Sequence, residues 1–270
     1  MTDSRRGRSA GIPGCHRDMG KCMELSKRLQ AVAGLVTAGS VLADIGTDHA
    51  YIPIWLTESG RIRGAVAMDV YPGPLERAEE NIREHGLKDH ICTRLSDGFA
   101  ALKPGEADCA VIAGMGGGLT VRILREGRSI VRTLKECILQ PQSEIEKVRA
   151  FLLEEGFLFI KEDMVEEDGK YYPMMKAACP GSKISSLRES GAPGADIRKT
   201  DWDETELLYG KCLLKDKNPV LRQYLEREIH IKRKILSELA GQDSPRIAAR
   251  KMELEKEIRK AEKGLVYYAV

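Results

Sequence analysis

Aromatic residues make up only 5% of this 270-residue chain, so few rings are available for stacking on bases. No apolar run approaches the roughly 18 residues that a membrane-spanning helix requires, and the N-terminus carries no apolar signal-peptide core. These two absences lead to the expectation of a cytoplasmic protein with no membrane attachment, and charged residues at 31% agree with it. Cysteine is present but unorganised. The seven thiols, at 15, 22, 92, 109, 137, 179 and 212, include no Cys-x-x-Cys pair, and no metal site is expected. Cys15, His16 and Cys22 lie close in sequence, but incidental placement in a tail explains them. Cys92, Cys109 and Cys137 fall within predicted strands, where a thiol behaves as a small hydrophobe. Also missing is the three-glycine dinucleotide fingerprint, which disfavours a nicotinamide-linked oxidoreductase.

In its place stands a different loop. Val41, Leu42, Ala43 and Ile45 read as a buried strand that carries Asp44 at its end, and a helix-compatible segment follows from Ala50 to Ser59. Between them Gly46, Thr47, Asp48 and His49 form a turn with one glycine and two nearby carboxylates. A strand, a glycine turn and a helix start make the first half of a βαβ nucleotide unit, whose ligand sits beyond the carboxyl ends of the strands. Carboxylates repel phosphates. The loop therefore suits a ligand with cationic and hydroxyl-rich parts, and S-adenosylmethionine meets that description. A plain strand–turn–helix with polar turn residues would present the same letters.

The rest of the chain repeats the pattern. A second predicted strand, 64–69, ends at Asp69 before Val70, and a third, 90–96, ends beside Asp97 and Gly98. Three acids at successive strand ends would repel one another along one sheet edge unless donors face them. A fourth strand, 107–113, opens into Gly114, Met115, Gly116, Gly117 and Gly118, a run that lets backbone approach a ligand closely. The helix after it, 119–135, carries a candidate interruption at Gly127. A fifth strand, 137–141, leads to a helix over 143–156 with a capping acid near its start, and 157–163 with 171–178 reads as an antiparallel hairpin about Asp168 and Gly169.

Residues 1–22 and 180–205 are polar and rich in Gly, Ser or Arg, and are expected to be a disordered extension and a linker. They bracket a predicted ligand-binding domain, 23–179, and precede a helical domain, 206–270. Two apolar stripes there, over 219–240 and from Pro245 onward, predict an antiparallel, coiled-coil-like helical hairpin. From Lys211 to Lys263 there are 15 basic against 9 acidic residues, whereas the whole chain is only +2. Arg227, Lys232, Arg233, Lys234, Arg250, Lys251, Arg259 and Lys260 are the candidates for gripping a polyanion. A solvated helical surface has the same composition.

The pieces Leu25-Ser-Lys-Arg-Leu29, Asp44-Ile-Gly-Thr-Asp-His-Ala-Tyr-Ile-Pro53, Gly73-Pro-Leu75, Ser96-Asp-Gly98, Ala113-Gly-Met-Gly-Gly117, Leu139-Gln-Pro141, Glu166-Glu-Asp-Gly-Lys-Tyr-Tyr172 and Glu206-Leu-Leu-Tyr-Gly210 together resemble the TrmK family. These are bacterial tRNA methyltransferases that use S-adenosylmethionine to methylate N1 of adenine 22. The resemblance spans about residues 23 to 265. It implies an α/β class I methyltransferase (Rossmann-like) fold, with a mostly parallel seven-stranded sheet and a C-terminal helical domain, and it implies tRNA as partner. It further implies a cofactor site made of Arg28, Asp44, Gly46, Thr47, Asp48, His49, Asp69, Val70, Asp97, Gly98, Gly114 and Gly116. Asp48, His49, Tyr51, Met115 and Gly116 are the candidates at the reacting atoms. The Asn/Asp-Pro-Pro-Tyr/Phe motif of many exocyclic-amine methyltransferases is replaced here by Gly-Met-Gly-Gly, which suits a ring nitrogen. Two alternatives stay open: a same-fold methyltransferase acting on another base or a small molecule, and a non-catalytic RNA-binding protein that keeps a cofactor pocket.

Overall fold

The computed structural model describes residues 23–182, 202–242 and 244–269. The expectations for residues 1–22, including the Cys15 cluster, and for most of the 180–205 linker lie outside the described residues. The chain opens with α1 (Lys27–Leu35), whose N-cap Ser26 accepts a bond from the Leu29 amide. It then alternates β1 (Ser40–Ile45), α2 (Tyr51–Glu58), β2 (Ile62–Asp69), α3 (Pro72–Glu84), β3 (Ile91–Leu95), β4 (Cys109–Ala113), α4 (Gly117–Glu126), α5 (Arg128–Val131), β5 (Glu136–Gln140) and α6 (Ile145–Glu154). The break between α4 and α5 falls at Gly127, where any side chain would overlap the Phe99 ring. A hairpin of β6 (Leu158–Glu167) and β7 (Lys170–Ala178) closes the sheet.

The seven strands lie in the order β3-β2-β1-β4-β5-β7-β6. The first five pair in parallel, while β7 runs antiparallel to both β5 and β6. Helices cover both faces, which is why the central strands are almost uninterruptedly apolar. Ala43, Ile45, Val66, Met68, Ala110 and Ile112 share a core with Ile123, Leu124, Val148 and Leu152 of α4 and α6. Their alternate neighbours, Leu42, Ala65, Ala67 and Val111, pack instead with Val32, Ile54 and Ile82 of α1, α2 and α3. Strand order reverses between β1 and β4, so the two carboxyl ends diverge and open a crevice. Cys109 and Cys137 are buried as expected, but Cys92 is exposed because β3 is an edge strand.

Among the described residues four helices follow: α7 (Glu204–Tyr209), α8 (Lys211–Lys215), α9 (Pro219–Glu238) and α10 (Pro245–Val266). Asn218 and Ser244 cap the long pair, each with proline in the first turn. The predicted boundary at 205/206 cuts through α7. Asp203 is the cap of that helix and forms a reciprocal box with Glu206, and Trp202 already packs on Phe159 of β6, with ring centroids 4.6 Å apart. The helical unit is fused to the sheet edge, since Met164 of β6 shares a core with Leu213, Leu214, Leu221, Leu225 and Ile258.

A buried ion pair fastens this junction. Arg149 of α6 donates to Glu162 of β6 at 2.8 Å, with both side chains essentially inaccessible. Its Nη1 donates to the Leu207 and Leu208 carbonyls, and the Cys212 amide donates to Glu162. Gly210 passes directly over the pair, and an added Cβ would lie 2.7 Å from both Glu162 oxygens. The glycine that ends Glu206-Leu-Leu-Tyr-Gly210 is thus required by packing. Among the described residues no helix is long and apolar enough to cross a membrane, and no cluster of three or more potential metal ligands occurs.

Candidate active site

A cleft of about 820 Å³ lies over the carboxyl ends of β1, β2 and β4, within the range of cofactor-sized sites. Its lining includes Arg28, Asp44, Gly46, Thr47, Asp48, His49, Tyr51, Asp69, Val70, Asp97, Gly98, Gly114 and Met115. Of the residues predicted for the site, Gly116 is the one that falls outside this lining.

The four carboxylates differ in environment. Asp44 is buried at 5% exposure, and Thr47 donates to it at 2.6 Å. Burial pushes its carboxyl up to about 6, against the pull of the Thr47 bond and with a smaller push from Asp69. Asp69 is half-buried and accepts from the Tyr71 amide at 3.0 Å. Asp48 and Asp97 are exposed and carry arginine partners, Arg77 at 2.5 Å and Arg122 at 3.1 Å. The expected repulsion along the rim is therefore already relieved by protein donors. A row of acids alone does not demand a ligand, whereas the withdrawn Asp44 is a carboxylate that a cation would relieve.

The turn after β1 is held in an uncommon shape. Asp48 and Ala50 both take positive φ, at 47° and 56°, which for non-glycine residues costs of order 1 kcal/mol each. Asn81 of α3 anchors it by donating to the His49 carbonyl at 2.9 Å. The result sets the His49 and Tyr51 rings nearly parallel, 4.9 Å between centroids with 7° between planes. Arg28, from α1, bonds Gln140 at 2.8 Å and lies over the Tyr172 ring, so its cationic end is fixed in the cleft.

The glycine run behaves differently from expectation. Only Gly114 adopts positive φ, 80°, and lines the cleft. Gly116 is the extended N-cap of α4, while Gly117 and Gly118 form its first turn. A Cβ on Gly117 would overlap the Ser143 carbonyl, and the Gly117 and Gly118 amides donate to Ser143 Oγ and Glu144 Oε2. The close approach is therefore made by the loop before α6. Glu144, the N-cap of α6, makes no side-chain capping bond to its own helix and instead accepts from the first turn of α4.

Residues 25–175 match a family described as a methyltransferase domain. The chain is 34% identical to the tRNA (adenine(22)-N(1))-methyltransferase of Bacillus subtilis over 218 residues, 81% of this chain and 87% of that protein. The crystal structure of the B. subtilis m1A22 tRNA methyltransferase TrmK superposes with TM-score 0.69 at 31% identity, covering 90% of this chain and 99% of that one. The M. capricolum TrmK, solved with the cofactor product S-adenosylhomocysteine, gives 0.72 at 28% identity over 90% and 98%. The chain belongs to the TrmK family of methyltransferases. Against TrmK motifs, sequence reasoning missed Arg77, Tyr71, Arg122 and Gln142, which line the cleft or hold its carboxylates. Arg77 and Arg122 sit on helices 29 and 25 positions from Asp48 and Asp97, whereas Tyr71 and Gln142 lie beside Pro72 and Pro141.

The predicted basic residues of this TrmK protein do not form one free cationic face. Seven of the eight have a protein acceptor. Lys232 pairs with Glu228 and Glu257, Arg233 with Glu262, Arg250 with Glu253, Arg259 with Glu255 and Lys260 with Glu204. Arg227 donates to the Gly169 carbonyl and Lys251 to that of Gln242, while Lys234 is exposed.

Proposed function

We propose that this protein transfers a methyl group from S-adenosylmethionine to N1 of adenine 22 in tRNA. The observation that carries this reading is the pairing, in one cleft of a TrmK-family chain, of a desolvated carboxylate with a half-exposed parallel ring pair. When bound, the cofactor supplies an electrophilic methyl on a sulfonium centre. The residues present fit it: Asp44, Asp48 and Arg28 offer complements to its ammonium and carboxylate, and Asp69 to its ribose diol. Asp97 and Gly98 would face its adenine.

Adenine N1 carries an in-plane lone pair at neutral pH, so this chain needs no strong base and its contribution is placement. His49 and Tyr51 would orient the base, with Met115 against the reacting edge. Asp48 and the Gly114 carbonyl would offset the positive charge that reaches the purine and accept from its amino group. The helices α9 and α10 would hold tRNA phosphates by exchanging exposed ion pairs for phosphate contacts, an inexpensive trade because such pairs contribute about 0–1 kcal/mol. Incubation with methyl-labelled cofactor and unmodified tRNA, followed by nucleotide mapping, tests the reading. Label at adenine 22 supports it, and label elsewhere or none refutes it.

A further inference from the structure

A second cavity, of about 350 Å³, lies between the β6–β7 hairpin and the helices α9 and α10. Nothing in the proposed methyl transfer uses it. Its position is informative. The β5–β7 ladder ends at Leu139↔Met175, so residues 170–173 project past the carboxyl end of β5. Tyr171 and Pro173 line the cavity from that projection, and Ile145 lines it from the start of α6. Gln142, three residues before Ile145, lines the cofactor cleft. Cleft and cavity therefore share one rim of the sheet, and a chain laid along that rim meets both.

The walls are chemically mixed. Tyr171 and Tyr224 stand edge to face, 5.2 Å between centroids. Beside them Lys232 sits between Glu228 and Glu257, its ammonium bonded to the first and 3.6 Å from the second. Aromatic walls with hydrogen-bonding edges are how proteins take single unstacked bases of RNA. Two carboxylates flanking an ammonium give acceptors on either side of a donor. Among the bases guanine uses one such carboxylate–ammonium pair most fully: its adjacent N1–H and N2 amino group donate together to a carboxylate, and the neighbouring O6 accepts from the lysine. The Tyr224 hydroxyl, which burial pushes up to about 12, stays a donor at neutral pH.

We propose that this cavity receives one unpaired purine of the bound tRNA, guanine in preference to adenine, at a nucleotide other than the one methylated. The proposal rests on the tRNA methyltransferase reading above. Occupancy there fixes how the RNA lies on the rim and so contributes to the choice of target.

The test is a cycle between nucleotide and pocket. Unmodified tRNAs carrying a single abasic site at each unpaired purine in turn are assayed with the wild-type protein and with the double variant Glu228→Gln/Glu257→Gln. Expected is one position, away from the methylated base, where the abasic site lowers wild-type kcat/KM at least tenfold but leaves the double variant unchanged. Cofactor affinity by calorimetry is expected to be equal in both proteins. If the double variant folds poorly by thermal melting, Tyr224→Phe, which keeps the ring, replaces it. Methylation by the wild type with no such coupled position overturns the cavity proposal alone. No methylation of any tRNA by the wild type overturns the functional reading and this proposal with it.

Discussion

Asp44 shows how one side chain sets a pH response. Its carboxyl is pushed up to about 6 from the ordinary 3.8, so between about pH 4 and 6 the folded protein holds a proton that the unfolded chain has lost. By linkage its contribution to stability is full below about pH 4 and is lost as the pH rises through 6. A cationic ligand beside it favours the ionised form. Cofactor affinity is therefore expected to rise from pH 5 to 7 and level off above it, with proton release below pH 6. Calorimetry in buffers of different ionisation enthalpy measures both, and a flat profile counts against Asp44 as the cation's partner. Asp69→Ala is expected to weaken cofactor binding at least a hundredfold while leaving the thermal midpoint within a few degrees, because Asp69 is half-buried and its carboxylate accepts from the nearby Tyr71 amide. Unchanged calorimetric affinity would refute its ribose role. Both residues are legible in the sequence, since an acid closing an apolar run is a local pattern. The arginine partners of Asp48 and Asp97 are not: the 29 positions from Asp48 to Arg77 are bridged only by the fold.

At the scale of elements, the junction between sheet and helices turns on packing. Gly210→Ala would drive a methyl onto the Glu162 carboxylate and hold a side chain at φ 96°. A loss of about 3 kcal/mol or more is expected from overpacking and strain together. Arg149→Met strands a buried carboxylate and is expected to cost about 3–5 kcal/mol, while Arg149→Met/Glu162→Leu recovers most of it. Urea unfolding of the three proteins decides the matter, and a double variant no better than the single one would show that the pair is not isolable. Caps and prolines made α9 and α10 readable, because Asn218, Pro219, Ser244 and Pro245 act on their own helices. The run from Gly114 to Gly118 announced a close approach without saying by what. Only the structure identifies the neighbour as Ser143 and Glu144, 26 positions on.

For the whole molecule, the alternation of strands and helices, the closing hairpin and the pair of long helices were legible in the periodicities, but the fusion of those helices to the sheet edge and the state of the surface were not. Composition counts charges, whereas partners such as Glu262 for Arg233 arise only when two helices pack. If these cations exchange partners for phosphates, tRNA affinity must fall steeply with salt while cofactor affinity barely changes. Reversing Lys234, Arg250 and Arg259 together to glutamate is expected to raise the KM for tRNA at least tenfold at constant cofactor Kd. Equal effects on both ligands would remove these helices as the grip. One further consequence concerns what the cleft turns away. The amide end of a helix is a ready seat for phosphate, yet at α4 the seat is already filled by the chain's own Glu144 and Ser143. A phosphate offered to that helix end meets a carboxylate already accepting from one of its amides, so the start of α4 is closed to outside anions by the chain's own side chains.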